Sequence, residues 1–221
     1  HWTRVLRARA GEHAQLFDGL GHVAEAELVE VGKRGARVHI LSVSAPVTES
    51  PLHTHLGQVM SKGDRLDYAL QKAVEMGVSE ITLLTSERCE LRLRGEERAD
   101  KKLAHWQRVM IGACEQSGRN TLPLLHGPMA LTDWQLQVQA EQKWVLAPAV
   151  SGGPAAGGAR PASVVLLIGP EGGLSEAEIA AACQTGFQPW QIGPRVLRTE
   201  TAPVAALAIL QQLYGDAGNN G

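Results

Sequence analysis

The sequence predicts an α/β protein preceded by a small all-β segment, and three observations support this fold class. Residues 1–46 contain short extended runs without helical periodicity. Residues 47–221 alternate apolar strands with amphipathic helices, which is typical of a parallel sheet covered on both faces. Two predicted strands end in Gly-Pro turns, "IGPEGG" and "IGPR". Because ligands bind at the carboxyl ends of such strands, these turns mark the candidate site.

The N-terminal segment reads as three short strands. The stretch "HAQLFDGLGHVAEAELVEV" places two extended runs around Asp18-Gly19, which is a hairpin signal, and "GARVHILSV" supplies a third strand. Three short strands are too few for an independent fold. We therefore expect a small β-barrel that lacks its first strand or two. Because the chain opens at "HWTRVLR" without Met, we also expect further residues before it.

The second segment begins after a linker at residues 45–51 and contains at least five strands and four helices. The first helix should be capped by Asp64 and bury a stripe that contains Leu66, Leu70 and Ala73. The other helices are predicted at residues 97–117, 175–185 and 203–214. The strands are predicted at residues 52–60, 80–86, 143–148, 163–169 and 188–193.

Composition excludes several classes of protein. The net charge of −2 gives no global positive field, although a local basic patch could still bind RNA. Three distant cysteines without a CxxC pair predict neither a zinc site nor a disulfide framework, and they fit a reducing cytoplasm. His53 and His55 share one strand face, but two histidines do not make a metal site, so we expect none. No apolar run approaches the ~20 residues that span a bilayer.

The turn at Gly169–Gly173 is the strongest local signal of a binding site. Ser175 and Glu178 form a capping box, so the turn lies against the free N–H groups of a helix start. It carries one carboxylate and no Lys or Arg, and the chain has no phosphate-binding Gly-rich loop. A neutral or electropositive ligand with a flat heterocycle such as adenine is therefore expected. The alternative is a tight strand-to-helix connection without function.

These turns belong to a longer series of segments. "QKAVEMGV", "SERCE" and "ACEQSGR" precede "LLIGPEGGLSEAEI" and "IGPRVLRTETA". In this order they closely resemble the bacterial 16S ribosomal RNA uridine-N3 methyltransferases of the SPOUT superfamily, over essentially the whole chain. The resemblance implies a PUA-like barrel at residues 1–46 and an α/β methyltransferase domain with a deep trefoil knot at residues 47–221. It further implies a cytoplasmic homodimer that uses S-adenosylmethionine and acts on the small ribosomal subunit.

The resemblance places the cofactor in three loops. The family often has His before the Pro of the first loop, whereas this chain has Ala147. The cofactor-binding positions implied are Leu146, Pro148, Ile168, Gly169, Pro170, Glu171, Gly172, Gly173, Ile192, Gly193, Val196, Leu197, Arg198, Thr199 and Ala202.

Methylation at N3 of uracil requires loss of the imide proton, and the third loop offers candidates for this step. Arg198 could stabilise the uracil anion or bind phosphate, and Glu200 could act as a base or hold Arg198. The alternative for this pair is a structural ion pair. Glu171 could lie near the sulfonium. Thr199 and Thr201 are expected to cap the last helix, with Pro203 in its first turn.

Contacts with RNA should come from basic residues, and two other functions remain open. The expected RNA-binding residues are Arg4, Arg7, Lys72, Arg88, Arg119 and Arg195. The N-terminal part should hold the RNA backbone while the second domain acts on the base. One alternative is an RNA-binding ribosome-assembly factor without turnover. The other is a methyltransferase that acts on another RNA such as transfer RNA.

Overall fold

The computed structural model describes residues 9–32, 35–91, 93, 95–147, 152–155, 157 and 159–218, with backbone only at residues 96 and 98. The chain divides into two compact units. The first comprises the residues up to Glu49 together with Cys114–Leu122, and the second comprises Ser50–Ala113 and the residues from Pro123 onwards. A segment from the middle of the chain thus belongs to the N-terminal unit, which the sequence did not indicate.

The first unit contains a three-stranded antiparallel sheet in the order β1-β2-β3, formed by His13–Phe17, Val23–Val31 and Ala36–Ser44. The expected hairpin is confirmed, with Phe17 opposite Val23. Asp18 closes its loop, because Oδ1 accepts hydrogen bonds from the amides of Leu20 (2.7 Å) and His22 (3.1 Å). These bonds, with that of Leu20 foremost, lower the pKa of the Asp18 carboxyl.

The second unit contains a six-stranded sheet in the order β6-β5-β4-β8-β7-β9, and all of its pairs are parallel. The predicted parallel α/β sheet is therefore confirmed. The strands are β4 His53–Val59, β5 Glu80–Thr85, β6 Leu124–Ala130, β7 Gln142–Leu146, β8 Ser163–Ile168 and β9 Gln188–Trp190. The helices in the described part of the chain are α1 Asp64–Glu75, α2 Glu96–Ser117, α3 Leu131–Gln137, α4 Glu176–Gln184 and α5 Thr201–Leu213.

Strand β6 was not predicted from the sequence, and its composition explains why. Its residues "LLHGPMA" include Gly127 and Pro128, which normally argue against a strand. The strand lies at the edge of the sheet and is largely exposed. Pro is tolerated at an edge because one side of the strand has no hydrogen-bonding partner.

The predicted cap of helix α1 is wrong. The N-cap residue is Gly63, with φ 67°, and no side chain caps the helix. Asp64 is instead the first helical residue, where its charge stabilises the helix through the macrodipole. Asp67, one turn further, accepts hydrogen bonds from His105 Nε2 (2.6 Å) and Trp106 Nε1 (3.1 Å), which fix α1 against α2.

The central strands are buried on both faces. Val165, Leu166 and Leu167 are consecutive in β8, so they alternate between the two faces, and each is at most 1% exposed, as expected for a covered parallel sheet. Trp134 of α3 lies directly on β4, because a Cβ placed on Gly57 would be 2.2 Å from a carbon of its ring. The glycine in β4 therefore admits the indole.

The connection between β7 and β8 packs against β9. The carbonyl of Gly152 accepts a hydrogen bond from the Gln191 amide (3.2 Å), and Tyr214 Oη donates to the carbonyl of Ala155 (3.1 Å). The resemblance implies that the last segment of the chain threads a loop to make a trefoil knot. In the described part of the chain, no helix is long and apolar enough to cross a membrane.

Candidate active site

A cavity of about 620 Å³ opens at the carboxyl ends of β7, β8 and β9. Its position agrees with the general rule for ligand sites in parallel sheets. Among the predicted cofactor-binding residues, those that line the cavity are Leu146, Ile168, Gly169, Pro170, Glu171, Gly172, Gly173, Ile192, Val196, Leu197, Arg198, Thr199 and Ala202. Gly193 follows Ile192 with φ 65°, and Pro148 lies outside the described residues.

The loop after β8 owes its shape to a local turn and a capped helix. The Gly173 amide donates to the carbonyl of Pro170 (2.8 Å), and Gly173 has φ 69°. Helix α4 then begins with the predicted capping box, in which the Ser175 hydroxyl accepts from the Glu178 amide and the Glu178 carboxylate accepts from the Ser175 amide. The capping box is confirmed, and it holds the loop at the cavity.

Two glycines of this loop make room for other protein atoms. A Cβ on Gly169 would lie 3.0 Å from the amide nitrogen of Leu174, so the loop folds back onto its own start. A Cβ on Gly172 would lie 3.4 Å from Cβ of Arg88. Arg88 Nη1 also donates to the carbonyl of Gly172 (3.0 Å). Arg88, which was predicted to contact RNA, thus stabilises the loop through this hydrogen bond, and it also lines the cavity.

A chain of hydrogen bonds joins the second Gly-Pro segment to the first. Thr199 Oγ1 donates to the carbonyl of Gly169 (2.8 Å) and accepts from Gln58 Nε2 of β4 (3.3 Å). Thr199 is 7% exposed and Gln58 is 1% exposed. The predicted capping roles of Thr199 and Thr201 are wrong, because α5 begins at Thr201 itself, after the N-cap residue Glu200, and has no side-chain cap.

Gln58 was missed by the sequence reasoning, although it left a signal. It is a polar side chain inside an apolar, buried strand, and such a residue needs an internal hydrogen-bonding partner. Its Nε2 also donates to the carbonyl of Val59 (3.1 Å). The sequence could not show that its other partner would be Thr199, which is 141 residues away.

Glu171 is held by a cation that the sequence did not identify. Its Oε1 accepts from Arg65 Nη1 (2.9 Å) and from the amide of Lys62 (3.3 Å). Both side chains of the ion pair are partly exposed, at 47% for Arg65 and 31% for Glu171. The charge of Glu171, which was expected near a sulfonium, is therefore offset by Arg65.

Arg198 and Glu200 both line the cavity, together with Arg195. Among the described residues no ion pair joins Arg198 to Glu200, so the geometry does not support the alternative of a structural pair. Oε2 of Glu200 is buried and has no hydrogen-bonding partner in the described part of the chain. Among the described residues, four arginines and two glutamates line the cavity, so this lining carries a positive excess. Such a lining suits an anionic substrate beside an apolar, backbone-rich wall.

Other predicted RNA-binding residues lie in different surroundings. Lys72 donates to both carboxylate oxygens of Glu75, at 2.7 and 2.9 Å. Arg119 is only 6% exposed and forms a two-pronged ion pair with Glu49 inside the first unit. This burial gives Arg119 a structural role. Arg4 and Arg7 lie outside the described residues.

Fold and cavity define an α/β enzyme with a ligand site in backbone loops, and sequence comparisons identify the class. Residues 48–211 match the family described as "RNA methyltransferase domain", and residues 1–41 match "RNA methyltransferase PUA domain". The chain belongs to this family of RNA methyltransferases. The class predicted from the sequence is therefore confirmed.

Particular relatives are similar over nearly the whole chain. Ribosomal RNA small subunit methyltransferase E of Buchnera aphidicola subsp. Schizaphis graminum is 36% identical over 96% of this chain and 87% of the relative. A solved putative methyltransferase from Legionella pneumophila in complex with S-adenosylmethionine is 41% identical, with a TM-score of 0.92, covering 98% of this chain and 89% of that one. The small subunit methyltransferase E from Neisseria gonorrhoeae, bound to S-adenosylmethionine, is 41% identical with a TM-score of 0.87, covering 97% and 89%.

Proposed function

We propose that this protein transfers the methyl group of S-adenosylmethionine to N3 of a specific uridine in 16S ribosomal RNA. One observation carries the proposal: the backbone-rich cavity where β7, β8 and β9 end, which gathers thirteen of the predicted cofactor-binding residues. Two similar solved structures contain S-adenosylmethionine, and a relative of similar length is named for the small ribosomal subunit.

The cofactor would lie against the loops after β7 and β8. Leu146, Ile168 and Leu197 offer apolar walls to its adenine ring, and the backbone groups around Gly169–Gly173 offer hydrogen bonds. S-adenosylmethionine supplies a sulfonium-bound methyl group and has no phosphate. This chemistry agrees with a site that lacks a phosphate-binding loop.

The RNA would approach from the side of the second Gly-Pro segment. Arg195 and Arg198 are exposed, line the cavity, and form no ion pair with any described residue. They can therefore meet phosphates or the uracil without first losing a partner. Exposed Arg9 of the N-terminal unit offers a further positive charge for the RNA backbone.

Two residues of this segment would carry the proton chemistry. Glu200 is the candidate base, because its side chain lines the cavity and its buried Oε2 has no hydrogen-bonding partner among the described residues. Arg198 would stabilise the negative charge that develops on the uracil oxygens. The loops would hold the methyl donor close to its acceptor, and such positioning would supply much of the rate.

The test uses small ribosomal subunits that lack the modification, together with cofactor carrying a labelled methyl group. We expect label on one uridine at N3, and Glu200→Gln should lower kcat at least ~100-fold with little change in cofactor affinity. Arg198→Ala should also lower kcat in this assay, because it removes the charge that would stabilise the uracil anion. Arg108→Ala is its matched control, since Arg108 is exposed and donates only to the carbonyl of Ala104 (3.0 Å) among the bonds described.

The two alternative functions, an assembly factor and a methyltransferase of another RNA, predict different results. Binding of subunits without calorimetric binding of S-adenosylmethionine would favour a ribosome-assembly factor without turnover. Label in transfer RNA, with none in the small subunit, would refute the proposed target and keep the chemistry.

We also propose that the protein is a cytoplasmic homodimer. Val196 is 78% exposed at the rim of the cavity, where an apolar side chain would gain from burial against a second copy. Sedimentation that shows an active monomer at working concentration would overturn the dimer.

A further inference from the structure

A second group of reactive side chains lies at the opposite end of the sheet from the cavity. His53 and His55 of β4, Glu80 of β5 and His126 of β6 come together near the amino ends of these parallel strands. The sheet register explains the meeting, because His55 pairs with Glu80 and His126 pairs with Thr82. The sequence showed only the two histidines of β4. The other two ligands come from strands distant along the chain.

Three imidazoles converge on one carboxylate. His53 Nε2 lies 3.0 Å from Glu80 Oε1, and His126 Nε2 lies 3.0 Å from Glu80 Oε2. His55 Nδ1 lies 3.8 Å from the same Oε2. One nitrogen each of His55 and His126 and one oxygen of Glu80 all lie within 4.8 Å of one another. Among the described residues, this is the one group that brings such ligands together.

We propose that His55, Glu80 and His126 form a zinc site, with His53 as a fourth ligand. Imidazole and carboxylate are ligands that Zn²⁺ prefers, and bond lengths of about 2.0–2.2 Å in a tetrahedron put the ligand atoms roughly 3.3 Å apart. The Glu80 oxygens lie 3.0 Å from His53, 3.0 Å from His126 and 3.8 Å from His55, and the ligand atoms of His55, Glu80 and His126 are all within 4.8 Å of one another, so the tetrahedron requires an approach of up to about 1.5 Å. His53 and His126 are 49% and 45% exposed at their side chains, so they have room to rotate.

The surroundings of His55 match those of a metal ligand. Its Nε2 lies 2.8 Å from Thr82 Oγ1, and its ring meets Trp134 edge-on, with 5.6 Å between centroids. A histidine that binds metal through one nitrogen usually donates from the other to a fixed acceptor, which sets its orientation. Thr82 is 3% exposed and can play this part.

The site would be structural. It lies away from the cavity, and it would link the edge strand β6 to β5 and β4. A metal that binds only the folded state raises the free energy of unfolding by RT ln(1 + [L]/Kd), where [L] is the free metal concentration. The alternative is a hydrogen-bonded cluster in which His53 and His126 each donate to one oxygen of Glu80.

The test is calorimetric titration of the untagged, full-length protein with ZnCl₂ after dialysis against a chelator. We expect one equivalent to bind, with a higher Tm in its presence. His126→Gln and Glu80→Gln should each weaken binding at least ~10-fold, and Thr82→Val should weaken it about 10–100-fold. His39→Gln is the matched control, since His39 is an exposed strand histidine of the other sheet.

Two results would overturn the proposal: no binding at stoichiometric zinc, or equal affinity in the wild type, His126→Gln and Glu80→Gln. If either variant fails to fold in the presence of the chelator, the visible spectrum of the Co²⁺-loaded wild type serves as the test instead of that variant's titration. An intense tetrahedral Co²⁺ absorption supports the site, and a weak octahedral one contradicts it.

Discussion

Replacing Thr199 by Val should loosen the connection between the two loops of the cavity. The substitution keeps the shape of the side chain and removes the hydroxyl that donates to the Gly169 carbonyl at 2.8 Å and accepts from Gln58 at 3.3 Å. A neutral hydrogen bond contributes about 0.5–1.5 kcal/mol, and leaving a buried partner unsatisfied costs about 1–3 kcal/mol. Gln58 keeps its bond to the Val59 carbonyl, so the stranded Gly169 carbonyl dominates. We expect the free energy of unfolding to fall by about 1–3 kcal/mol.

The assay is equilibrium denaturation in urea, followed by calorimetric titration with S-adenosylmethionine. Thr201→Val is the matched control, because Thr201 is an exposed residue at the start of α5 and should change stability by less than ~0.5 kcal/mol. If the free energy of unfolding of Thr199→Val lies within ~0.5 kcal/mol of the wild-type value, the hydroxyl does not hold the loops together. A normal stability with weakened cofactor binding would instead place the hydroxyl at the ligand.

Three further changes follow from the packing. Gly57→Ala places a methyl group 2.2 Å from the ring of Trp134, which is 3% exposed and has little room to move. Denaturation should show that the free energy of unfolding falls by about 2–3 kcal/mol or more, and adding Trp134→Leu should partly restore it. Ser175→Ala removes one half of the capping box and should cost about 1 kcal/mol in the same assay, whereas an unchanged midpoint would show that the cap is dispensable. Burial raises the pKa of the Cys114 thiol, so this thiol stays protonated as the pH rises through the range where an ordinary thiol ionises. A thiol reagent near pH 8 should therefore label exposed Cys183 before Cys114 in the folded protein. Equal labelling of the two cysteines would contradict the burial of Cys114.

Features that depend on neighbouring residues could be predicted from the sequence alone. The alternation of strands and helices indicated a parallel sheet, and the turns after two strands placed the site at their carboxyl ends. The Ser175–Glu178 capping box was also correct, because its two partners are three residues apart and compete with nothing else. Where a distant partner competed, the local rule failed: Thr199 bonds to Gly169 rather than capping α5.

Only the tertiary structure decided which side chains support the cavity and which come together in the histidine cluster at the other end of the sheet. Arg65 reaches Glu171 and Gln58 reaches Thr199 because the sheet order β6-β5-β4-β8-β7-β9 sets β4 beside β8. The same order brings His126 to Glu80 from 46 residues away. Spacing along a chain does not identify such pairs, because parallel strands that lie side by side can be joined by crossover connections of very different lengths. The chemistry at both ends of the sheet therefore depends on strand order, which the linear pattern leaves undetermined.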